Sequence, residues 1–593
     1  MFPGAISSSE HPLTSGPFIQ SSSLSSLPHD PIISLASHCI RQYFGPTVQL
    51  VADGLQSRGG QSSFRQLQAY IQQKAPPAPK RLGAPRDRRS ATDPASIRAS
   101  LLVLLQHSIV KTHFQRRGTI GAAAAVDSAA AAQTTVYTYS YHPRRAVWLQ
   151  RYARYLEYIQ KAADATSAGV IETILLAGRL RTVDVVALTV AQQGDDLPKS
   201  DRYTPRQTVV DAFLKMVQGG FLERVKPLKG PDDDEEEDDE GETEFEAPKR
   251  PAKRVKIVVA EKTGAAVMDE DPAVVSLLQS QGHYKAALPL DAVWRINHAM
   301  FHDTSRAFSL GRFVAERYGT KVQSAGSLVT AALRFRANQD HAKAADNGGI
   351  EPQWQTTTFT PDDMKQYLPK PVLQNMEKKV GGVDLNLSKA WQQLAELEAP
   401  LVVHRVGSDM FEIAVQSLLT CLHERLFHQI IHDRHGEVAA RIVSILTKQG
   451  WLESDALAVE AMVPAKDTRE FLHQLYRSNY IDLFQLTTSR QHNPATTIYL
   501  WKIDRPKLVR KATENVALAL WNIRLRREHE VEVGKGWIER AQRTDDTDEN
   551  EHATDRLNFE KFRLGLERLD CAAQQLDETL MVLQDFITST TIG

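Results

Sequence analysis

Cysteine is nearly absent from this sequence. Cys39, Cys421 and Cys571 are the only three in 593 residues, and they form no CxxC or Cys/His pair, so neither a disulfide framework nor a structural zinc site is indicated. That usage fits a reducing, interior compartment. No uninterrupted apolar run approaches the roughly 20 residues that cross a bilayer, and the N-terminal stretch has no basic region followed by an apolar one. A soluble, intracellular chain is expected. Net charge is missing too: Lys plus Arg is 71 and Asp plus Glu is 72, so no whole-molecule field draws the chain onto nucleic acid. Any DNA contact has to come from a local patch.

Catalytic motifs are equally scarce. There is no GxxxxGK[ST] loop, no GxGxxG after a strand and no GxSxG elbow. HERLFH at His423–His428 places its histidines five apart, about 140° around a helix, whereas a zinc-protease pair needs four. His428 and His432 have the right interval but no Glu between them, and His435 follows. The expectation is a protein that is not an enzyme, with no catalytic residue, metal ligand or cofactor.

What is present is a modular chain. Hydrophobic residues make up 42% and charged residues 24%, ordinary globular composition, and the length suggests roughly three to six units. After a Ser- and Pro-rich stretch over 1–30, read as a flexible tail, one order of signals recurs: apolar helix, Gly break, capped second helix, amphipathic third helix, short strand pair. That order is the winged helix.

In the first copy (31–145), Val48, Val51 and Leu55 precede Gly59 and Gly60. Ser62 or Ser63 can cap a helix with Phe64, Leu67 and Ile71, and Leu101–Leu105 leads to a strand over 109–114 and a partner over 134–141. The second copy (146–230) has Val170–Leu175 before Gly178, Thr182 as a cap, and a third helix from Pro205 to a strand over 221–225. The third (289–408) is less regular, with helices expected over 308–318, 322–335, 361–368 and 387–397 and a wing over 401–406. The fourth (409–504) runs from Val438–Leu446 through Gly450 and a helix over 456–461 to a Pro464-initiated helix, with a wing over 480–486 and 496–503.

Between the second and third copies lies an acidic and basic linker (231–288). Asp232–Glu240 is an acidic run, and Lys249, Arg250, Lys253, Arg254 and Lys256 follow, with the composition of a nuclear-import signal or of a self-neutralising linker. Over 505–593, Phe562, Leu566, Leu569, Ala573, Leu576, Leu580, Leu583 and Ile587 keep a four-three spacing, a coiled-coil seam. Val509, Ala512, Val516, Ala519 and Ile523 offer a matching face. An antiparallel hairpin is expected, or a single helix docked on a partner. The fold class is thus mainly α with small β wings: tandem extended winged helices followed by a C-terminal coiled-coil hairpin.

The block AMVPAKDTREFLHQLYRSNYIDLFQLTTSRQHNPATTIYLWKI (Ala461–Ile503) resembles the last winged helix of the large subunit in the RNA polymerase III-specific heterotrimer. FEKFRLGLERLDCAAQQLDETLMVLQDFI is similar to that family's final helix, and IVKTHF to its first wing. The resemblance covers nearly the whole chain, although the basic insertion after Ile71 and the Ala-rich wing tip depart from it. It implies a nuclear, non-catalytic subunit of RNA polymerase III, bound with two smaller heterotrimer partners near the clamp. Such a subunit recruits the initiation factor and helps open promoter DNA.

Winged helices present the third helix to a groove and the wing to phosphates. Arg98, Lys111, Arg116 and Arg117 in the first copy, and Lys199, Arg202 and Arg206 in the second, are the candidate nucleic-acid contacts. The same charges also suit modules solvated for protein docking. The terminal seam (Phe562, Leu566, Leu569, Leu576, Leu580, Leu583, Ile587) is the candidate partner surface. Two other classes fit parts of the pattern: a free-standing sequence-specific DNA-binding regulator, and a winged-helix scaffold of another nuclear complex.

Overall fold

The computed structural model describes residues 30–74, 93–116, 135–193, 205–225, 292–322, 324–346, 358–378, 382–397, 402–407, 409–487, 497–542 and 549–590. The first module opens on α1 (Pro31–Phe44) and α2 (Pro46–Gln56), each with proline in its first turn, where the missing N–H costs nothing. β1 (Gln61–Ser63), α3 (Phe64–Lys74), α4 (Pro94–Gln106), β2 (Val110–Arg116) and β3 (Thr135–Tyr141) follow. The Ser63 N–H donates to Gln66 Oε1 at 3.0 Å, half of the capping box that Ser-x-x-Gln encodes. β3 pairs antiparallel with both β1 and β2.

A short α5 (Pro143–Val147) and a 3₁₀ turn (Trp148–Arg151) lead through α6 (Tyr152–Ala162) into the second module. It consists of α7 (Ala165–Ala177), β4 (Arg179–Arg181), α8 (Thr182–Gln193), α9 (Pro205–Gln218), β5 (Leu222–Arg224) and β6 (Val293–Ile296), with sheet order β4-β6-β5. The third contains α10 (His298–Tyr318), α11 (Ala325–Asp346), a 3₁₀ turn (Asp362–Tyr367), α12 (Lys370–Glu377), α13 (Gly382–Ala395), β7 (Val403–Arg405) and β8 (Phe411–Ile413). Its sheet is a single ladder plus one bridge, Phe359 to Phe411. The bridge sits where the other modules place their first strand, beside the last, so the topology is the same with the edge strand worn down to one residue.

The fourth module follows α14 (Val415–His435) and comprises α15 (Glu437–Gln449), β9 (Leu452–Glu453), α16 (Ser454–Ala461), α17 (Ala465–Arg477), β10 (Asp482–Thr487) and β11 (Thr497–Lys502), in order β9-β11-β10. Two long helices, α18 (Arg505–Gln542) and α19 (Glu549–Thr590), close the described chain. Arg527 meets Asp570 and Gly534 faces Phe562, so they run antiparallel, as the hairpin expectation has it.

Strand pairing moves two boundaries read from the sequence. Ala292–Ile296, assigned to the third copy, closes the second module's sheet: Trp294 stacks edge-on with Phe213 at 5.5 Å and donates to Thr182 Oγ1 at 2.9 Å. Thr182 is therefore a fully buried acceptor for the returning strand as well as the start of α8. Likewise β8, placed by sequence in the fourth copy, pairs with β7 in the third. Strand partners distant in sequence leave no local signal, which is why both boundaries slipped. Three of the third copy's helices are longer than their apolar stripes, α10 beginning at His298 under an Asn297 cap that accepts from Met300 N–H at 3.3 Å, whereas the helix expected over 361–368 is only the 3₁₀ turn Asp362–Tyr367.

The cores do not follow the modules one for one. One continuous core joins the first module, the fourth module and the hairpin: Leu35, Leu55, Ile442, Leu472, Leu520, Leu580 and Leu583 all belong to it. The second module has its own core around Phe213 and Trp294. The third gathers Trp391, Phe411 and the first half of α14, and Val582 of α19 packs into it. Residues 573–583 of α19 thus stand between two cores, with Leu580 and Leu583 on one side and Val582 on the other.

Polar contacts converge on the same turns. Asp577, 5% exposed, accepts from Arg151 Nε at 3.0 and 3.1 Å and from Gln150 Nε2 at 2.8 Å. Arg154 donates to the Gln574 carbonyl at 2.6 Å, Ser309 Oγ to Glu578 at 2.7 Å, and His423 Nε2 to the Val582 carbonyl at 2.8 Å. The 3₁₀ turn between the first two modules, α10 and α14 are all tied to one helix.

Removing one partner of a pair this buried leaves an uncompensated charge, which costs about 3–5 kcal/mol. Asp577→Ala is expected to lower unfolding stability by that amount in denaturant titration. Arg151→Met with Asp577→Leu, which removes both charges, should recover more than half of the loss.

Candidate nucleic-acid and subunit interfaces

Arg98 sits in the first turns of α4, exposed, its guanidinium 5.3 Å from the centre of the Phe64 ring. Lys111 is exposed on β2 opposite Ser140, with His113 two residues on; alternation puts Lys111 and His113 on the same face. Arg116 ends the ladder opposite Thr135; its side chain lies outside the described atoms, and Arg117, Lys199 and Arg202 lie outside the described residues. Arg206 is half-buried in the first turn of α9 and already engaged. The nuclear-import candidates Lys249, Arg250, Lys253, Arg254 and Lys256 also fall outside the described residues.

The outward faces of the third helices differ from those of a base-reading helix. α4 presents Ala99, Leu102 and Gln106 beyond Arg98. On α9 the exposed residues are Asp211, Lys215 and Gln218, and Lys215 is held by Asp164 at 2.6 Å. α17 alternates Lys466, Asp467, Arg469 and Glu470, with Arg469 paired to Asp455 at 2.9 Å. These surfaces are nearly neutral, which suits protein contact better than phosphate contact.

A cationic cluster that sequence reading missed lies where the first two modules meet. The end of α4 docks against Gly178, whose φ is +81° and where an added Cβ would come within 2.7 Å of the Gln106 carbonyl, so no side chain fits. The cleft beside it is lined by Gln106, His107, Ser108, Tyr152, Arg295 and His298. Arg179 donates to Ser108 Oγ at 3.1 Å and Arg145 to the Ser108 carbonyl at 3.0 Å. Burial lowers the Arg179 guanidinium from its ordinary value, and Arg295 and Arg145 push it further the same way. Its only sequence signal was Arg179-Leu180-Arg181 directly after the Gly break.

Burial, then Arg145, Arg295, Arg151 and His107, drives His298 down to about 3, and burial drives His107 to about 4. His302 goes the same way through burial and then Arg151, so its neutral ring accepts from Arg151 at 3.1 Å.

The seam residues divide. Leu580 and Leu583 are fully buried, whereas Phe562, Leu566, Leu569 and Leu576 are half-buried; the Ile587 side chain lies outside the described atoms. The seam is thus filled mostly from within the chain by α18. The larger exposed apolar surface is on the fourth module's wing, where Phe484, Leu486 and Ile498 share one sheet face and Trp451 meets Phe484 edge-on at 5.1 Å. His423 is buried on the Val582 carbonyl, and His428 and His432 are exposed and stacked. Among the described residues no group of three or more His, Cys, Asp or Glu could hold a metal.

The depressed histidines set a pH dependence. Below about 6.5 the unfolded chain binds protons that folded His107, His298 and His302 refuse, so stability is full above that pH and falls as pH drops, by up to about 1.4 kcal/mol per pH unit for each ring. Denaturant midpoints measured between pH 7 and 5 should fall accordingly. His298→Gln should flatten that slope.

Residues 427–503 match the family model described as POLR3C, C-terminal winged-helix domain. The DNA-directed RNA polymerase III subunit RPC3 of Rattus norvegicus is 23% identical over 602 residues, covering 94% of this chain and 98% of the rat protein. The subunit of that name in Homo sapiens is 22% identical over 531 residues, covering 83% and 90%. In Aspergillus niger the figure is 25% over 253 residues, 40% of each chain. The matched domain spans the second half of α14 through β11, the part that shares a core with the first module. The chain is thus similar to RNA polymerase III subunits named RPC3 over most of its length, and its residues 427–503 match the POLR3C C-terminal winged-helix domain.

Proposed function

We propose that the chain is a non-catalytic structural subunit of nuclear DNA-directed RNA polymerase III. The observation that carries this reading is likeness to RPC3 subunits across 94% of the chain, which includes the turn Trp148–Arg151 and the terminal hairpin that tie the modules together. In this role the turns of α19 around Asp577 tie the modules together, and the apolar wing face of the fourth module and the nearly neutral third helices serve as docking surfaces for other subunits. The partners would be the two smaller heterotrimer subunits and the clamp, and the task initiation: recruiting the initiation factor and keeping promoter DNA open. Phosphate contact is assigned to the first module, through Arg98, Lys111, Arg116 and Arg117. Nearly neutral third helices disfavour the free-standing regulator, which would need a basic reader.

Affinity purification of the tagged chain, with mass spectrometry of what comes with it, tests the assembly. RNA polymerase III subunits are expected; a chain that travels alone or as a homodimer overturns the reading. For the DNA contact, Arg116→Glu with Arg117→Glu should weaken promoter-DNA binding at least tenfold at low salt and leave the unfolding midpoint in place. Undiminished binding would remove that wing from the interface.

A further inference from the structure

We propose that the free edge of β10 in the fourth module takes up an extended strand from another polymerase subunit, about six residues long, uncharged and apolar at alternate positions. This deepens the docking role given above to that wing and rests on it. The four wings share one topology, and their outward faces differ. In the first, Lys111 and His113 stand on the outward face of the edge strand β2. In the second, Glu223 of the edge strand β5 holds Arg295 at 2.6 Å. In the third, exposed His404 of β7 lies opposite Glu412. Charged groups of this kind keep a second strand from pairing with an edge.

The fourth wing has no such guard. In the order β9-β11-β10 the six residues of β10 form the edge, and their one charge, Asp482, is taken by Lys507. The ladder sets Phe484 opposite Leu500 and Leu486 opposite Ile498. Leu483 and Trp501 point into the core, so alternation turns those four side chains outward. Phe484, Leu486 and Ile498 are 49%, 47% and 46% exposed. An antiparallel sheet with one wet face alternates apolar and polar residues, whereas this hairpin is apolar on both faces, the pattern of a sheet covered on both sides.

The backbone decides what covers it. Every second residue of β10 turns its N–H and C=O away from β11, at the rim of the apolar face. Covering that face strips water from those groups, and unmatched they oppose the contact. An added strand bonds to them and extends the Phe484 and Leu486 face with its own alternate side chains. A helix laid across the face leaves them unmatched. At about 3.3 Å per residue, a strand of about six residues fills the ladder that β10 offers.

Hydrogen exchange read residue by residue in the mass spectrometer tests this on the tagged full chain, alone and in the polymerase complex it brings down. In the chain alone the β10 amides should form two classes, those bonded to β11 slow and the alternate set fast. In the complex the fast set should slow at least tenfold. Proline at whichever of Gln485 and Leu486 belongs to the fast set removes an outward donor and spares the β11 ladder, so the remaining fast amides should stay fast in the complex. If that variant lowers the unfolding midpoint, Phe484→Lys with Leu486→Lys decides, since both side chains are half exposed; it too should lose the protection. A fast set that the complex leaves unchanged overturns the proposal while the co-purified subunits uphold the assembly. Protection that the proline variant keeps assigns the face to side-chain docking, protection already present in the monomeric chain assigns it to a segment of this chain, and protection that appears only as the isolated chain is concentrated assigns it to a second copy; each overturns the added strand. A chain that brings down no polymerase subunits overturns the assembly and the strand together.

Discussion

The arrangement of the molecule depends on a buried ion pair. Arg151, in the turn between the first two modules, and Asp577, near the end of the last helix, are 426 positions apart and both almost wholly excluded from water. Desolvating two charges is expensive, and the Coulomb attraction offsets it only when geometry is tight and the remaining donors are used. Here Gln150 adds a bond to the carboxylate and neutral His302 takes one from the guanidinium, while the buried Arg151 Nη2 is left without a hydrogen-bond partner among the described residues. A pair of this kind contributes little net stability compared with apolar residues of the same size. It penalises any alternative docking of the helices that buries one charge without the other.

Around that pair the long terminal helix works as a shared wall. Leu580 and Leu583 face the core of the first and fourth modules, Val582 faces the third, and Asp577 and Glu578 take donors from the inter-module turn and α10. The two ends of the chain thereby form a single core, while the second and third modules hang on the same few turns. An assembly of small winged helices, each with a modest core, gains rigidity this way. Rigidity matters to a scaffold, since partners that bind different modules stay in fixed relation only if the modules do.

Much of the local structure was legible from the amino-acid order. Glycine after the first helix of a module, Ser-x-x-Gln at Ser63, proline at the first turns and period-two aromatic residues in Tyr137–Tyr141 each encode a conformation through contacts a few residues apart. The four-three spacing of the terminal helix likewise announced its apolar face. The block Ala461–Ile503 was distinctive enough to point to a family, and the matched domain spans it.

The amino-acid sequence by itself thus determined most elements of the first, second and fourth modules, their order, and the capacity of the last helix to bury a stripe, because those depend on backbone preference and periodicity. Tertiary structure alone decided that Val293–Ile296 returns to the second module, that Asp577 rather than Asp570 is buried, and that Arg145, Arg179 and Arg295 converge. Two aspartates on one helix look alike in one dimension. Only the position of Arg151, brought from hundreds of residues away by packing, makes one a buried keystone and leaves the other at the surface of the hairpin.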